Sequence, residues 1–167
     1  MADLRAAIGS LGYDEVSTYI QSGNVLFSSP EADRSVLEAA IGGAIADMFG
    51  LKIGVVVVTR DELCEVLKRN PYPREPNPKY LHVVFLGAEP DQALRDKLEA
   101  ATEAAAAKGS GRDSMTVIGR TLYLHTPDGF GTSELAKALV RVTTPANGTA
   151  RNLATTTKLL SLCDGGA

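Results

Sequence analysis

Four prolines fall within ten residues, N-P-Y-P-R-E-P-N-P-K at 70–79, and neither a helix nor an inner strand can run through such a stretch. Structure must therefore build up on either side of it. The segment contains almost nothing apolar, which predicts a linker at 71–79 between a first domain at 1–70 and a second at 80–167. A chain of 167 residues with 44% hydrophobic content can build one ordinary core or two small ones. Trp is absent and aromatics are only 5%, so those cores are expected to be aliphatic.

Before the prolines, Leu4, Ile8 and Leu11 recur at helical spacing and Gly12 follows as a helix stop. The runs S-T-Y-I-Q and V-L-F-S-S flank Ser22-Gly23-Asn24, a composition that suits a hairpin turn. Ser29-Pro30 predicts a helix start, with Leu37, Ile41, Ala44, Ile45 and Met48 on one face and Gly50 at the end. A buried strand is expected at Ile53–Val58. The next four residues, T-R-D-E, form a capping box that opens a helix running to about Arg69.

After the prolines the alternation repeats. A strand at Tyr80–Leu86 and a helix at Asp91–Ala107 lead into two strands, Ser114–Ile118 and Thr121–His125, joined by the turn Gly119-Arg120. A Gly-rich loop (D-G-F-G-T-S, 128–133), a helix from Glu134 to Val142, a polar loop and a final helix complete the chain. The first half thus reads α-β-β-α-β and the second β-α-β-β-α with one more helical segment. One strand placed ahead of the first half would complete the β-α-β-β-α-β plait. The expected fold class is α+β: two consecutive ferredoxin-like (α/β plait) domains, the first lacking its N-terminal strand. That strand lies mid-sheet in a plait, so its absence leaves backbone groups to be paired by upstream residues, an oligomer or a partner strand.

Net charge is −3, which disfavours bulk affinity for nucleic acid or anionic membranes. No apolar run approaches the roughly 20 residues of a membrane span, so no membrane partner is expected. The start M-A-D-L-R-A-A-I-G-S lacks the marks of a secretory signal, and a cytoplasmic location is expected. Cys64 and Cys163 sit at no metal-ligand spacing and read as free thiols. Neither a metal nor a cofactor is expected. Charge is uneven along the chain: Gly131–Lys158 carries four basic residues and one acidic, so an anion is expected there if anywhere.

Four stretches together resemble a known family: Y-I-Q-S-G-N-V-L-F at 19–27, the Asn70-Pro71 pair, L-Y-L-H-T-P-D-G-F-G-T-S at 122–133, and T-A-R-N-L-A-T-T-T-K-L-L-S-L at 149–162. The chain is similar, from about residue 3 onward, to the domain of unknown function 1697. The resemblance implies two plait-like domains and no established activity. It also implies a missing first strand, because Met1-Ala2-Asp3-Leu4-Arg5 matches a helix that follows that strand in the family. In the family's R-N-W-x-T-V signature, Arg151, Asn152 and Thr155 match, while Leu153 stands for Trp and Thr156 for Val. Glu134 stands where a basic residue often follows the serine of the Gly-rich loop.

Gly129, Gly131, Thr132 and Ser133 lie between a strand and a helix, where free N–H groups can cradle an anion. No Walker or G-x-G-x-x-G pattern is present, and the alternative is that Thr132 or Ser133 simply caps the helix. Arg151-Asn152 offers a forked cation beside an amide, suited to phosphate or carboxylate; alternatively, a buried Arg151 ties loop carbonyls together. Strand alternation puts Tyr80 with His82 and Tyr123 with His125, on what would be an open sheet face able to stack bases. That face could equally be covered by packing. Ser22 and Asn24 read as turn residues with a smaller share of function. No catalytic motif emerges. The expected function is a non-catalytic binding domain for a small anionic ligand at the C-terminal Gly-rich loop. The alternatives are an RNA-binding plait, or an enzyme acting on phosphorylated metabolites.

Overall fold

The computed structural model describes residues 1–109 and 111–166, a mixed α+β protein with two separate sheets. Its chain forms two compact units, Met1–Val57 and Val58 onward.

The first unit holds α1 (Ala2–Gly9), β1 (Asp14–Tyr19), β2 (Asn24–Ser28) and α2 (Arg34–Phe49). β1 and β2 pair antiparallel, with an irregularity between Asp14 and Ser17. Their turn is closed by Gly23 at φ +73, while the buried Asn24 amide donates to the Tyr19 carbonyl (3.2 Å) and to Ser22 Oγ (2.8 Å). Ser22 and Asn24 are thus turn-forming groups. Ile8, Ile41 and Ile45 make the core, and Val16, Val25, Phe27, Val55 and Val57 pack against it. α2 begins later than Ser29-Pro30 suggested, because Asp33 supplies the cap by accepting the Ser35 N–H at 2.8 Å.

The strand expected at Ile53–Val58 does not form. Residues 51–57 pair with no other strand among the described residues, although Val55 and Val57 face the helices as strand residues would. A strand is made by its neighbour, and none of the described strands lies hydrogen-bonded beside this segment. The Glu38 carboxylate accepts the Val57 N–H at 2.8 Å instead.

The second unit runs α3 (Arg60–Lys68), β3 (Leu81–Phe85), α4 (Gln92–Ala107), β4 (Ser114–Ile118), β5 (Thr121–His125), α5 (Glu134–Thr143), a 3-10 turn, β6 (Thr149–Asn152) and α6 (Leu153–Cys163). The capping box opens α3 as expected: Thr59 Oγ1 accepts the Glu62 N–H at 3.2 Å, and Glu62 Oε2 accepts the Thr59 N–H at 2.8 Å. The sheet is antiparallel in the order β4-β5-β3-β6. β6 falls where only a polar loop was expected, since four residues, T-A-R-N, carry too little apolar pattern to announce a strand.

α4 and α5 cover one face, burying Leu98, Leu135 and Leu139 against Val84, Leu122 and Leu124. On the other face the Tyr123 hydroxyl donates to the Val66 carbonyl of α3 at 2.9 Å, and α6 packs on α3 and β3. The sheet is therefore clothed on both sides.

The division between units falls after Val57, not at 71–79. α3 belongs to the second unit, and the proline segment is part of that unit's packing. Asn70, Glu75 and Asn77 each accept an N–H two residues on, which folds the segment into successive turns. Tyr72 Oη lies 3.1 Å from Thr116 Oγ1, and Glu75 Oε2 lies 2.8 Å from His125 Nε2. Here the prolines shape a covering loop rather than a spacer.

Candidate functional site

Strand register decides which side chains of the second unit can act together. In the antiparallel pairs, His82 stands opposite Leu124 and Val83 opposite Tyr123. Directly opposed residues share a face. His82 therefore lies on the α4/α5 side, whereas Tyr123 and His125 lie on the α3 side with Leu81 and Val83. This corrects the expectation that the Tyr and His pairs line one open face. Tyr123 is 3% exposed, and burial pushes its phenol pKa up, so its ring offers nothing to a base. The His125 ring sits 5.2 Å from the Tyr72 ring, and its Nε2 meets Glu75. Glu75 is held below the usual carboxylate range by the Asn77 N–H first and His125 second. Tyr80 lies just ahead of β3, its carbonyl accepting the Thr126 N–H at 2.8 Å.

The His82 ring stacks 4.1 Å from Phe130 of the Gly-rich loop. Its Nδ1 is buried with no partner among the described residues, and burial pushes its pKa down to about 4.

The same register separates Arg151 from Asn152. Arg151 faces Val83 and Asn152 faces His82, on opposite sides of the sheet. Arg151 Nη1 donates to Thr149 Oγ1 and to the Ala150 carbonyl, each at 2.7 Å, and burial lowers its pKa. The Asn152 side chain caps α6 by accepting the Thr155 N–H at 2.7 Å. The pair presents no joint fork.

In the Gly-rich loop, the Gly129 N–H donates to the Thr126 carbonyl, and Thr132 Oγ1 donates to the carbonyls of Asp128 and Gly129. Ser133 is the N-cap of α5: it accepts the Ala136 N–H at 2.8 Å and donates to Asp113 Oδ2 at 2.6 Å. A carboxylate thus already stands at the positive end of α5. A second one, Asp128, is paired with Arg112 at 2.7 Å. Gly129, Gly131, Thr132 and Ser133 come together around the start of α5, while Arg151 lies across the sheet from them.

Sequence reasoning missed a cleft of about 160 Å³ between α5 and β6. Its floor is Val84, Leu124 and Ala150; Phe130 stands at its edge, with Val140 and Thr144 on the helix side. The helical stripe Ala136, Leu139, Val140, Thr143, Thr144 was legible, but without β6 there was no opposite wall. Arg141 follows Val140, about 100° further round the helix, and is exposed. Its Nε donates to the Lys137 carbonyl at 3.3 Å, and it forms no ion pair among the described residues. Lys137 is engaged with Glu134 at 2.7 Å.

Among the described residues no group of three His, Cys, Asp or Glu side chains could hold a metal ion, and no helix is long and apolar enough to cross a membrane. Cys64 and Cys163 are free thiols.

A family model described as "Protein of unknown function (DUF1697)" matches residues 1–123. The match stops before the Gly-rich loop and Arg151. Curated proteins give no match. Among solved structures, the conserved bacterial protein SP0830 from Streptococcus pneumoniae is similar, with a TM-score of 0.74 at 19% identity, covering 98% of this chain and 88% of that one. At that identity the likeness is one of fold.

Proposed function

The chain belongs to the DUF1697 family of proteins of unknown function, and from that premise we propose that it is a non-catalytic binding protein with a small-ligand site in its second unit. The scaffold is read as a ferredoxin-like plait. Counted within β3–β6, the sheet order is second, third, first, fourth, with α4 and α5 as the crossovers, which supports that reading. α3 and α6 are additions on the face a plait leaves open.

The observation that carries the proposal is the cleft between α5 and β6. Its floor is aliphatic, so it takes an apolar group, and Arg141 on the adjoining shoulder of α5 supplies a cation for an acidic head. The anionic ligand expected from the basic C-terminal segment becomes an amphipathic one. At about 160 Å³ the cleft falls below the roughly 300–1,000 Å³ of drug-sized sites, which points to a short carboxylic acid rather than a nucleotide. The Gly-rich loop keeps a part in this reading through Phe130.

Thermal unfolding in the presence of straight-chain carboxylates, from acetate to octanoate, tests it. The midpoint should rise with chain length until the cleft is full. Val140→Trp, at an exposed lip, should abolish the rise while leaving the unliganded midpoint nearly unchanged, and Arg141→Ala should weaken it. A response equal across the series, or one untouched by Val140→Trp, would remove the cleft from consideration.

A further inference from the structure

We infer that the acid bound in the cleft carries a hydroxyl at the far end of its chain, which His82 receives when the Phe130 ring swings aside. This rests on the reading of the cleft as a carboxylic-acid site and names the class of acid.

The cleft between α5 and β6 has two unlike ends. α5 leaves the Gly-rich loop beside Phe130 and finishes at Thr143, which meets Gly148, so Arg141 lies toward the end remote from Phe130. An acid held by Arg141 therefore points its chain at Phe130. Behind that ring the floor continues. His82 stands directly across from the floor residue Leu124, and about 7 Å along β3 from Val84 on the same face. Asn152 of β6 is its neighbour on the other side. The Phe130 ring, 4.1 Å from the His82 ring, closes off this extension of the cleft.

What lies behind the ring is polar. His82 Nδ1 is out of the solvent's reach and has no hydrogen-bond partner among the described residues. A buried polar atom in that state is costly, and a group brought to it recovers the loss. Burial keeps the imidazole neutral, so one ring nitrogen holds a proton and the other a lone pair. A second carboxylate beside an uncharged ring would lose its hydration without gaining a cation. A hydroxyl suits either tautomer, because it both donates and accepts. The Asn152 amide nitrogen, which takes no part in capping α6, offers a further donor on the same face. Phe130 has room to move: it is only half-buried, and Gly129 and Gly131 on either side of it set no side chain in the path of its ring.

Isothermal titration of the full chain with octanoate and with ω-hydroxyoctanoate at neutral pH separates the possibilities. The hydroxy acid should bind about ten-fold more tightly, although a hydroxyl ordinarily weakens binding to an apolar cleft. In protein carrying isotope-labelled histidine, the His82 Nδ1 resonance should move with the hydroxy acid and hold its place with octanoate. His82→Phe, which keeps an aromatic ring beside Phe130, should reverse the preference. Octanoate binding as tightly as the hydroxy acid, or a His82 resonance indifferent to the hydroxyl, overturns the inference and leaves the cleft reading standing. A preference that survives His82→Phe overturns it too. Binding of neither acid removes the cleft reading, and this inference with it.

Discussion

Gly148 and His82 show how far single residues depend on surroundings remote from their own segment. A Cβ at Gly148 would lie 2.6 Å from Thr143 Cβ and 2.9 Å from its carbonyl oxygen, so the chain can leave α5 and enter β6 only with glycine there. Gly148→Ala should destabilise the protein by about 1–3 kcal/mol, read from denaturant midpoints. His82 is buried against Phe130 and prefers to be neutral, with a folded pKa of about 4 against an ordinary 6.5. Its stabilising contribution is therefore fully present above about pH 6.5 and is lost as pH falls toward 4, because the unfolded chain takes up the proton first. Comparing the wild type with His82→Phe, which keeps an aromatic ring beside Phe130, should show a shallower loss of melting temperature across that window; parallel curves would contradict the assignment. The neighbours of His82 along its own strand were legible in the sequence. Its partner Leu124 was not, because register is set by pairing between strands.

Among the elements, α3 was the most legible, since a capping box is a local signal complete within four residues. What α3 is attached to was not legible. Arg120, 58 residues away, donates through Nη2 to both Glu62 oxygens at 3.0 Å and through Nη1 to the Leu86 carbonyl at 2.9 Å. One guanidinium thereby ties the first turn of α3 to the β4–β5 turn and to the end of β3. Arg120→Ala leaves a carboxylate and a carbonyl in a half-buried place, and should cost about 2–4 kcal/mol. The exposed pair of Lys68 and Glu65 is a useful contrast, and Lys68→Ala should change stability by less than about 0.5 kcal/mol. Urea titrations of the two variants would read both. β6 stands at the other extreme of legibility: its four residues form a strand because β3 offers an edge and α6 begins immediately after it.

The two units differ in how completely each sheet is built. A two-stranded ribbon is marginal by itself, whereas four strands covered on both faces bury their hydrogen bonds. Amides of β1 and β2 should therefore exchange at least about ten-fold faster than those of β3 and β5, as measured by native-state hydrogen exchange. Similar rates in both sheets would show that the first unit owes its stability to something other than its ladder. The proline segment belongs at this scale too. Read alone it is a spacer, but Tyr72 and Glu75 fasten it to Thr116 and His125, contacts that composition cannot reveal.

By itself the sequence determined the alternation of helices and strands, the hairpin at Ser22–Asn24, the caps of α3 and α5, and family membership. These rest on periodicity, turn chemistry and short motifs, all written in neighbouring residues. Tertiary structure alone decided that the division falls after Val57, that 51–57 joins no strand ladder among the described residues, that β6 exists, and that Arg151 and Asn152 point to opposite faces. Each of those outcomes depends on which backbone edge meets which, and an edge has no sequence of its own: every residue carries the same N–H and C=O, so only the assembled neighbour chooses the pairing.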